Sequence, residues 1–367
     1  MSDETLLHDL VALAARAPSP HNTQPWSPRV VTGPGGPAVD VAVVPGRTLP
    51  AGDPTSRDVL LSLGAWVECA AVGAAAAGRD LEVVALPALR ELASLPVHGP
   101  ADPARPVLRV RLGGPGGGHP ATPEDVRSRT VYRGRTAGDP AVYDDLPAGT
   151  LGSGLHLRAV DAAVLARLVR WGTVGTFADR PVAEELVRWL RLSPQHPGYA
   201  RDGLSDRVLL VPAALARAVA PATRHARLRD PALAVLGAAA RAADAVLRRG
   251  AGPGVPAPDR GVHHVLVAEG AAAAGRGGGP TRAPVLDGRT GLPEERVLEA
   301  GRSLQRLWLH AHRAGHAVSP HSEVVDVAGP HAALRRHLGL RRDEVALAVF
   351  STGRPLGAVP RAPRLTD

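Results

Sequence analysis

Residues 113–123, GGPGGGHPATP, are the feature that most restricts how this chain can fold. All but three of the eleven are Gly or Pro, a composition that sustains neither a helix nor a strand ladder. The two flanking stretches must then each fold from their own periodicity. Both read in one order: a polar loop, a strand, a long helix ending in Gly, and another strand. This order predicts two related halves, 1–112 and 124–367, within one α+β architecture. The second half carries an additional helical stretch at about 180–250.

In the first half, Leu6, Leu10 and Leu13 share one face of a helix expected from Asp3, as N-cap, to Ala17, with Pro18 ending it. The alternating valines of AVDVAVV (38–44) predict a strand. A long apolar helix follows, opened by Asp53 and Pro54 and closed by Gly78. LEVVAL (81–86) and VLRVRL (107–112) read as further strands. In the second half a helix is expected from Asp161 to Trp171, then broken helical sequence over the inserted stretch, then the strand VHHVLVA (262–268) and a Gly-rich loop. The helix Glu294–Ala314 carries Val297, Gly301, Leu304, Trp308 and Ala311 along one stripe, with Gly315 as its cap. A short helix, Pro330–Leu338, and the buried-looking strand VALAVFS (345–351) close the pattern, and the basic turn TGRP follows.

The loop RAPSPHNTQPW (16–26) holds the only asparagine in the chain, which also lacks Lys and Ile. All three residues use A/T-rich codons, so their scarcity reflects GC-rich drift, and Asn22 stands out as the one position not replaced. Ser19, His21, Asn22, Thr23 and Gln24 lie within six residues, and Pro18, Pro20 and Pro25 stiffen the backbone. Amides that donate and accept on adjacent atoms match the edge of a flat heteroaromatic ligand. The alternative is a helix–strand connection whose polar groups cap backbone ends.

RSRTVYRGR (127–135) places Arg127, Arg129, Arg133 and Arg135 around Ser128 and Thr130. On an extended segment, alternate arginines project to one side, and their forked guanidiniums match phosphate oxygens. In TGRP, Gly353 permits close backbone approach beside Arg354. A solvated basic face is the competing reading for both.

Several classes are disfavoured. The net charge of +8 comes entirely from arginines scattered through predicted helices, not from a stripe interleaved with aromatics, so specific nucleic-acid binding is not expected. Cys69 has no intrachain partner and sits in an apolar helical run, which predicts a buried thiol. No basic leader and no uncharged 18-residue stretch appears; a soluble, cytoplasmic chain without a membrane partner is expected. GPGGPA and GGGHPA lack the strand–turn–helix context of a dinucleotide site. His263–His264 and His310–Ala311–His312 lack a third ligand at zinc spacing, so no metal site is expected.

Three of these segments together resemble a known family. APSPHNTQPW looks like the signature loop of the nitroreductase superfamily of flavin enzymes. RSRTVYRGR is similar to its Arg-Ser/Thr-x-Arg phosphate-binding segment, and VALAVFSTGRP to its final strand and basic turn. Ordinary members place the phosphate segment first and form a dimer of two chains with flavin at the interface. Here the order is reversed and a second half follows. With SPQHPGYARDGLSD resembling the start of a helical lid, the arrangement looks most like the long Acg-type branch of actinobacteria, in which one chain folds as a fused pseudo-dimer.

The resemblance implies a nitroreductase-like fold with antiparallel-rich sheets flanked by helices, and a monomer acting as an internal pseudo-dimer. It also implies one FMN per chain. The expected activity passes electrons between NAD(P)H or another small substrate and a nitro, quinone or other small acceptor. Carried over residue by residue, it puts Ser19, His21, Asn22 and Gln24 at the flavin ring and Arg127, Arg129, Arg133 and Arg354 at the ribityl phosphate. The family often has adjacent arginines where Ser128 separates them here. No catalytic acid or base is implied. The alternatives are a non-catalytic FMN-sequestering protein and a flavin-free pseudo-dimer serving as an interaction module.

Overall fold

The computed structural model describes residues 2–94, 99–248, 261–270 and 291–365. The Gly-rich loop expected over 271–290 and the last two residues of the inserted stretch, 249 and 250, lie outside the described residues.

Helix α1 (Asp3–Ala14) buries Leu6, Leu7, Leu10 and Leu13. Its N-cap is Ser2, whose Oγ accepts from Thr5 N, and not the expected Asp3; Asp3 instead lies in the first turn, where its charge suits the helix dipole. Strands β1 (Trp26–Gly33) and β2 (Gly36–Val43) form a hairpin. Helix α2 (Arg57–Ala76) begins three residues later than Pro54 suggests, because Ser56 at its N-cap is left-handed at φ 56. Asp53 still serves the helix from outside, its Oδ2 accepting from Asp58 N and Val59 N. Strands β3 (Arg79–Ala85) and β4 (Leu108–Pro115) complete an all-antiparallel sheet of order β1-β2-β4-β3. Strand β4 thus takes up the first residues of the Gly/Pro stretch.

Next come α3 (Pro123–Ser128), β5 (Thr136–Ala137), β6 (Leu155–Ala159) and α4 (Ala162–Ala178). Asp161 caps α4 as expected, but the helix continues past Trp171 because nothing before Asp179 interrupts it. The inserted stretch contains α5 (Arg180–Arg188), β7 (Leu190–Arg191), β8 (Leu204–Ser205), α6 (Asp206–Leu209), α7 (Ala213–Arg224) and α8 (Ala226–Arg248). Then follow β9 (Val262–Ala268), α9 (Glu294–Arg313), β10 (Ala317–Pro320), α10 (Glu323–Asp326), α11 (Ala328–Leu338) and β11 (Val345–Pro355). The second sheet is ordered β10-β11-β9-β6, and β5 pairs with the far end of β11. Thr352 and Gly353 pair with β10, and Arg354 and Pro355 with β5, so TGRP belongs to the strand, where a turn was expected.

The two four-stranded paths share one connectivity. Numbered within each half, the strands lie in the order 1-2-4-3, and the long helix joins the second strand to the third. Those helices, α2 and α9, are each 20 residues long and pack against one another. They cross at Gly64 and Gly301, each the eighth residue of its helix. A Cβ on Gly64 would lie 2.0 Å from Leu298 O, and one on Gly301 would lie 2.3 Å from Leu61 O. Only glycine lets the backbones approach so closely. The central core therefore mixes both halves: Val59, Leu63 and Trp66 of α2 join Val297, Leu304 and Trp308 of α9. The opposite face of the second sheet packs Val265, Val267, Ala346 and Val349 against α4 and α11. α2 is long and apolar enough to cross a membrane, yet it is the buried centre of this core.

Candidate functional site

The loop after α1 is strained and tightly held. His21, Asn22 and Gln24 all have positive φ, at 48°, 55° and 52°, a region that costs a non-glycine residue about 1 kcal/mol or more and that Asn tolerates better than most. Ser19 Oγ accepts from Gln24 N at 2.9 Å. Asn22 Nδ2 donates to Pro363 O at 3.0 Å, and Asn22 Oδ1 accepts from Arg364 Nη1 at 2.9 Å. Gln24 Oε1 accepts from Leu365 N, and its Nε2 donates to Arg201 O. The amides expected to face a ligand edge are thus engaged by the chain's own C-terminal segment and inserted stretch. Trp26 packs into the core below.

Residues 201–203 contact the same loop. Gly203 N donates to Asn22 O, Arg47 Nη1 donates to Thr23 O, and Arg47 pairs with Asp202 at 3.0 Å. Asp202 also holds Arg191, which lies over the Trp189 ring with Arg47.

The arginine segment is not the extended run expected from sequence. Thr122 and Asp125 form a capping box that starts α3, so Arg127 and Ser128 are helical and only the residues beyond them are irregular. The side chains consequently diverge. Arg127 is exposed near Glu124, and Arg354 is exposed on β11. Arg133 is half-buried and lies within electrostatic reach of His21.

Arg129 turns fully inward and is 7% exposed. Its guanidinium lies 5.6 Å over the Trp308 ring and reaches Arg16 O at 3.4 Å through Nη2. Its Nε and Nη1 have no hydrogen-bond partner, and among the described residues it forms no ion pair. Burial, with a smaller contribution from Arg16, pushes its pKa down to about 10. Arg364 donates to the same Arg16 carbonyl and to Ala17 O. Residues 16–24 and Arg129, far apart in sequence, are therefore brought together.

On its other side the loop meets a buried polar cluster that joins the halves. Arg57, 1% exposed, pairs with Asp58 at 2.7 Å and with Asp326 of α10 at 2.5 Å. Burial raises the Asp326 carboxyl to about 7 against the pull of Arg57, and it raises Asp53 as well. Burial and then Arg133 lower His21 to about 4, so its imidazole is neutral at physiological pH. The predicted buried thiol, Cys69, is fully enclosed and pushed up to about 12 by burial.

The other flank of the helix pair is basic too, but there Glu68 pairs with Arg302 and Arg306. A cavity of about 270 Å³ is lined by Arg302, Arg306, Arg313, His119 and Glu68. Glu68 accepts from His119, Arg302 and Arg306. Burial would raise its carboxyl, yet the hydrogen bonds from His119 and Arg306 hold it near 2.

Sequence reasoning did not single out Arg16, Arg47, Arg364 or Trp308 for this site. With 43 arginines and no lysine, one more Arg in the Pro-containing tail offers no contrast. Only the unusual cluster of Asn, Gln and His in the loop marks the place to which they converge.

No protein-family model and no curated protein matches this sequence. Solved structures similar to this chain include two nitroreductases. One is the FMN-dependent nitroreductase NfnB from Mycobacterium smegmatis in complex with NADPH, 19% identical over 65% of this chain and 92% of that one, with a TM-score of 0.31. The other is a candidate nitroreductase from Anabaena variabilis, 10% identical over 97% and 89% of the two chains, with a TM-score of 0.40.

Proposed function

We propose that this chain is an FMN-dependent oxidoreductase of the nitroreductase type, with two related halves fused into an internal pseudo-dimer of the Acg-type branch. The observation that carries the proposal is Arg129. A guanidinium buried to 7% exposure, with two nitrogens lacking partners and no ion pair among the described residues, is a charge that the fold meets only with the Trp308 ring and one backbone carbonyl. Such a charge costs several kcal/mol unless an anion meets it. The planar fork of arginine matches phosphate oxygens, so the residues present fit the phosphate end of the cofactor. The shared 1-2-4-3 strand order and the paired helix glycines support the pseudo-dimer reading.

When bound, the flavin would take up hydride from a nicotinamide donor and pass electrons to a small organic acceptor such as a nitro compound or quinone. The chain's own task is to hold and shield it. Arg129 would hold the phosphate, with Arg133 a second guanidinium on the loop side. The strained loop 19–24 would form one wall, presenting His21 as a neutral imidazole. The segment 201–203, bonded to that loop, would act as the edge of a lid over 180–250 and limit entry of water. Arg127 and Arg354 point outward and have no part in this arrangement.

The test is equilibrium dialysis of the purified chain against FMN, read by the visible flavin band, followed by anaerobic addition of NADPH. Retention of one flavin per chain, bleached by NADPH, is expected. Arg129→Ala is expected to weaken retention about thirtyfold, as loss of a charge-assisted contact worth about 2 kcal/mol implies. A chain that retains no flavin overturns the reading.

A further inference from the structure

Asn22, Gln24 and Arg16 share a feature that the flavin reading does not use: all three are bonded by the last described residues of the chain. Pro363 accepts from Asn22 Nδ2, Leu365 N donates to Gln24 Oε1, and Arg364, 6% exposed, donates to Asn22 Oδ1, Arg16 O and Ala17 O. A further contact, Arg361 Nη2 to Arg127 O at 2.7 Å, ties the same tail to the end of α3. The tail thus spans the two segments that the proposed site needs side by side.

We propose that residues 361–365 are a strap that positions the site, with Arg364 as its buckle and Asn22 as its catch. The role rests on the flavin reading only for what the strap positions. The holding itself stands on geometry alone.

The loop contains three left-handed non-glycine residues within four positions, a conformation that persists only where surrounding contacts over-determine it. Those contacts come from the tail and from 201–203, not from within the loop alone. Next, Arg364 is chemically suited to the task. One planar guanidinium serves Asn22 Oδ1 through Nη1 and two backbone carbonyls through Nη2, a spread that a lysine ammonium cannot copy. Finally, Arg364 and Arg129 donate to the same oxygen, Arg16 O, at 3.0 and 3.4 Å. Through that carbonyl the strap sets where the orphaned guanidinium of Arg129 stands. Arg364 is accordingly a positioning residue.

The test compares the full chain with a chain ending at Pro360, and with Arg364→Ala and Arg364→Lys in the full chain. Two readouts are taken: hydrogen exchange of the backbone amides of residues 19–25, and FMN retention by dialysis. Exchange at 19–25 is expected to accelerate at least about tenfold in the shortened chain while the amides of α2 and α9 keep their protection, as local release without global unfolding requires. FMN affinity is expected to fall by about tenfold or more, in step with exchange, because Arg129 loses its fixed neighbour. Arg364→Lys should resemble Arg364→Ala, and a synthetic peptide of residues 360–367 added to the shortened chain should restore both readouts.

Unchanged exchange at 19–25 in the shortened chain overturns the strap, whatever FMN does. Faster exchange with undiminished FMN affinity overturns the positioning role. If the full chain holds no FMN while exchange still accelerates on shortening, the oxidoreductase reading fails and the holding role of the strap is supported.

Discussion

Asn22 answers to two demands at once, and few residues meet both. Its backbone sits at φ 55, where Asn is tolerated and most side chains are not. Its amide also presents an acceptor to Arg364 and a donor to Pro363 O. Asp would keep the acceptor and lose the donor; Gly would keep the backbone angle and lose both. Urea denaturation is expected to rank the variants Asn22→Gly and then Asn22→Ala as increasingly destabilised. The first is expected to lose about 2 kcal/mol for two hydrogen bonds, one of them charged, and the second about 1 kcal/mol more for the left-handed backbone.

A second residue makes a prediction in pH. His331 is fully buried with neither ring nitrogen hydrogen-bonded, and burial, then Arg57 and Arg335, lower its pKa to about 3. The unfolded chain therefore takes up a proton on this residue as pH falls below about 6.5, and the native state does not. Relative to His331→Leu, the wild type should lose about 1.4 kcal/mol for each pH unit between about 6.5 and about 3, where the native state takes up the proton too. Denaturation curves at several pH values check this, and a pH-independent difference would show that His331 is not held neutral.

At the scale of elements, the helix crossing is the most exacting contact. A methyl group on Gly64 or Gly301 meets backbone oxygen at about van der Waals overlap, 2.0 and 2.3 Å away, so the helices must separate rather than a side chain give way. Each Gly→Ala change is expected to cost about 3 kcal/mol or more. The double variant should cost less than the sum, because one displacement relieves both clashes. Urea midpoints of the three variants test it. The sequence reading placed Gly301 on the buried stripe of its helix but assigned no role to Gly64, since an isolated Gly inside an apolar run has no periodicity to betray a close approach.

The elements that were legible share a cause. α9, β9 and the buried part of β11 carry their own 3.6- or 2-residue pattern, and such patterns are local. β5 is two residues long, and it is drawn out of the irregular segment only by pairing with β11. TGRP likewise predicts a turn from its own residues and is strand only through its partners β10 and β5.

For the whole molecule, the two halves are held by more than the covalent linker. The α2–α9 core, the Arg57–Asp326 pair and the strap all cross between them. A protease site introduced at Gly117–Gly118, where an added Cβ meets nothing within 4 Å, is expected to be cut without separating the pieces in size-exclusion chromatography. Two separately eluting fragments would mean that the linker itself maintains the association. The repeated order of elements was visible in the sequence because the patterning that makes a strand or a helix is local. The convergence of Arg16, Arg129 and Arg364 was not visible, because contacts spanning 113 and 348 residues leave no local trace.

The distance between Asn22 and Arg364 along the chain also orders events during synthesis. The first half can pair its strands and bury α1 as soon as they leave the ribosome, but the loop must wait with its catch open until the 364th residue has emerged. Every nascent chain thus passes through a stage in which the first sheet and α1 can pack while the 19–24 loop is still unfastened, so this loop takes its final shape only after most of what it packs on has been made.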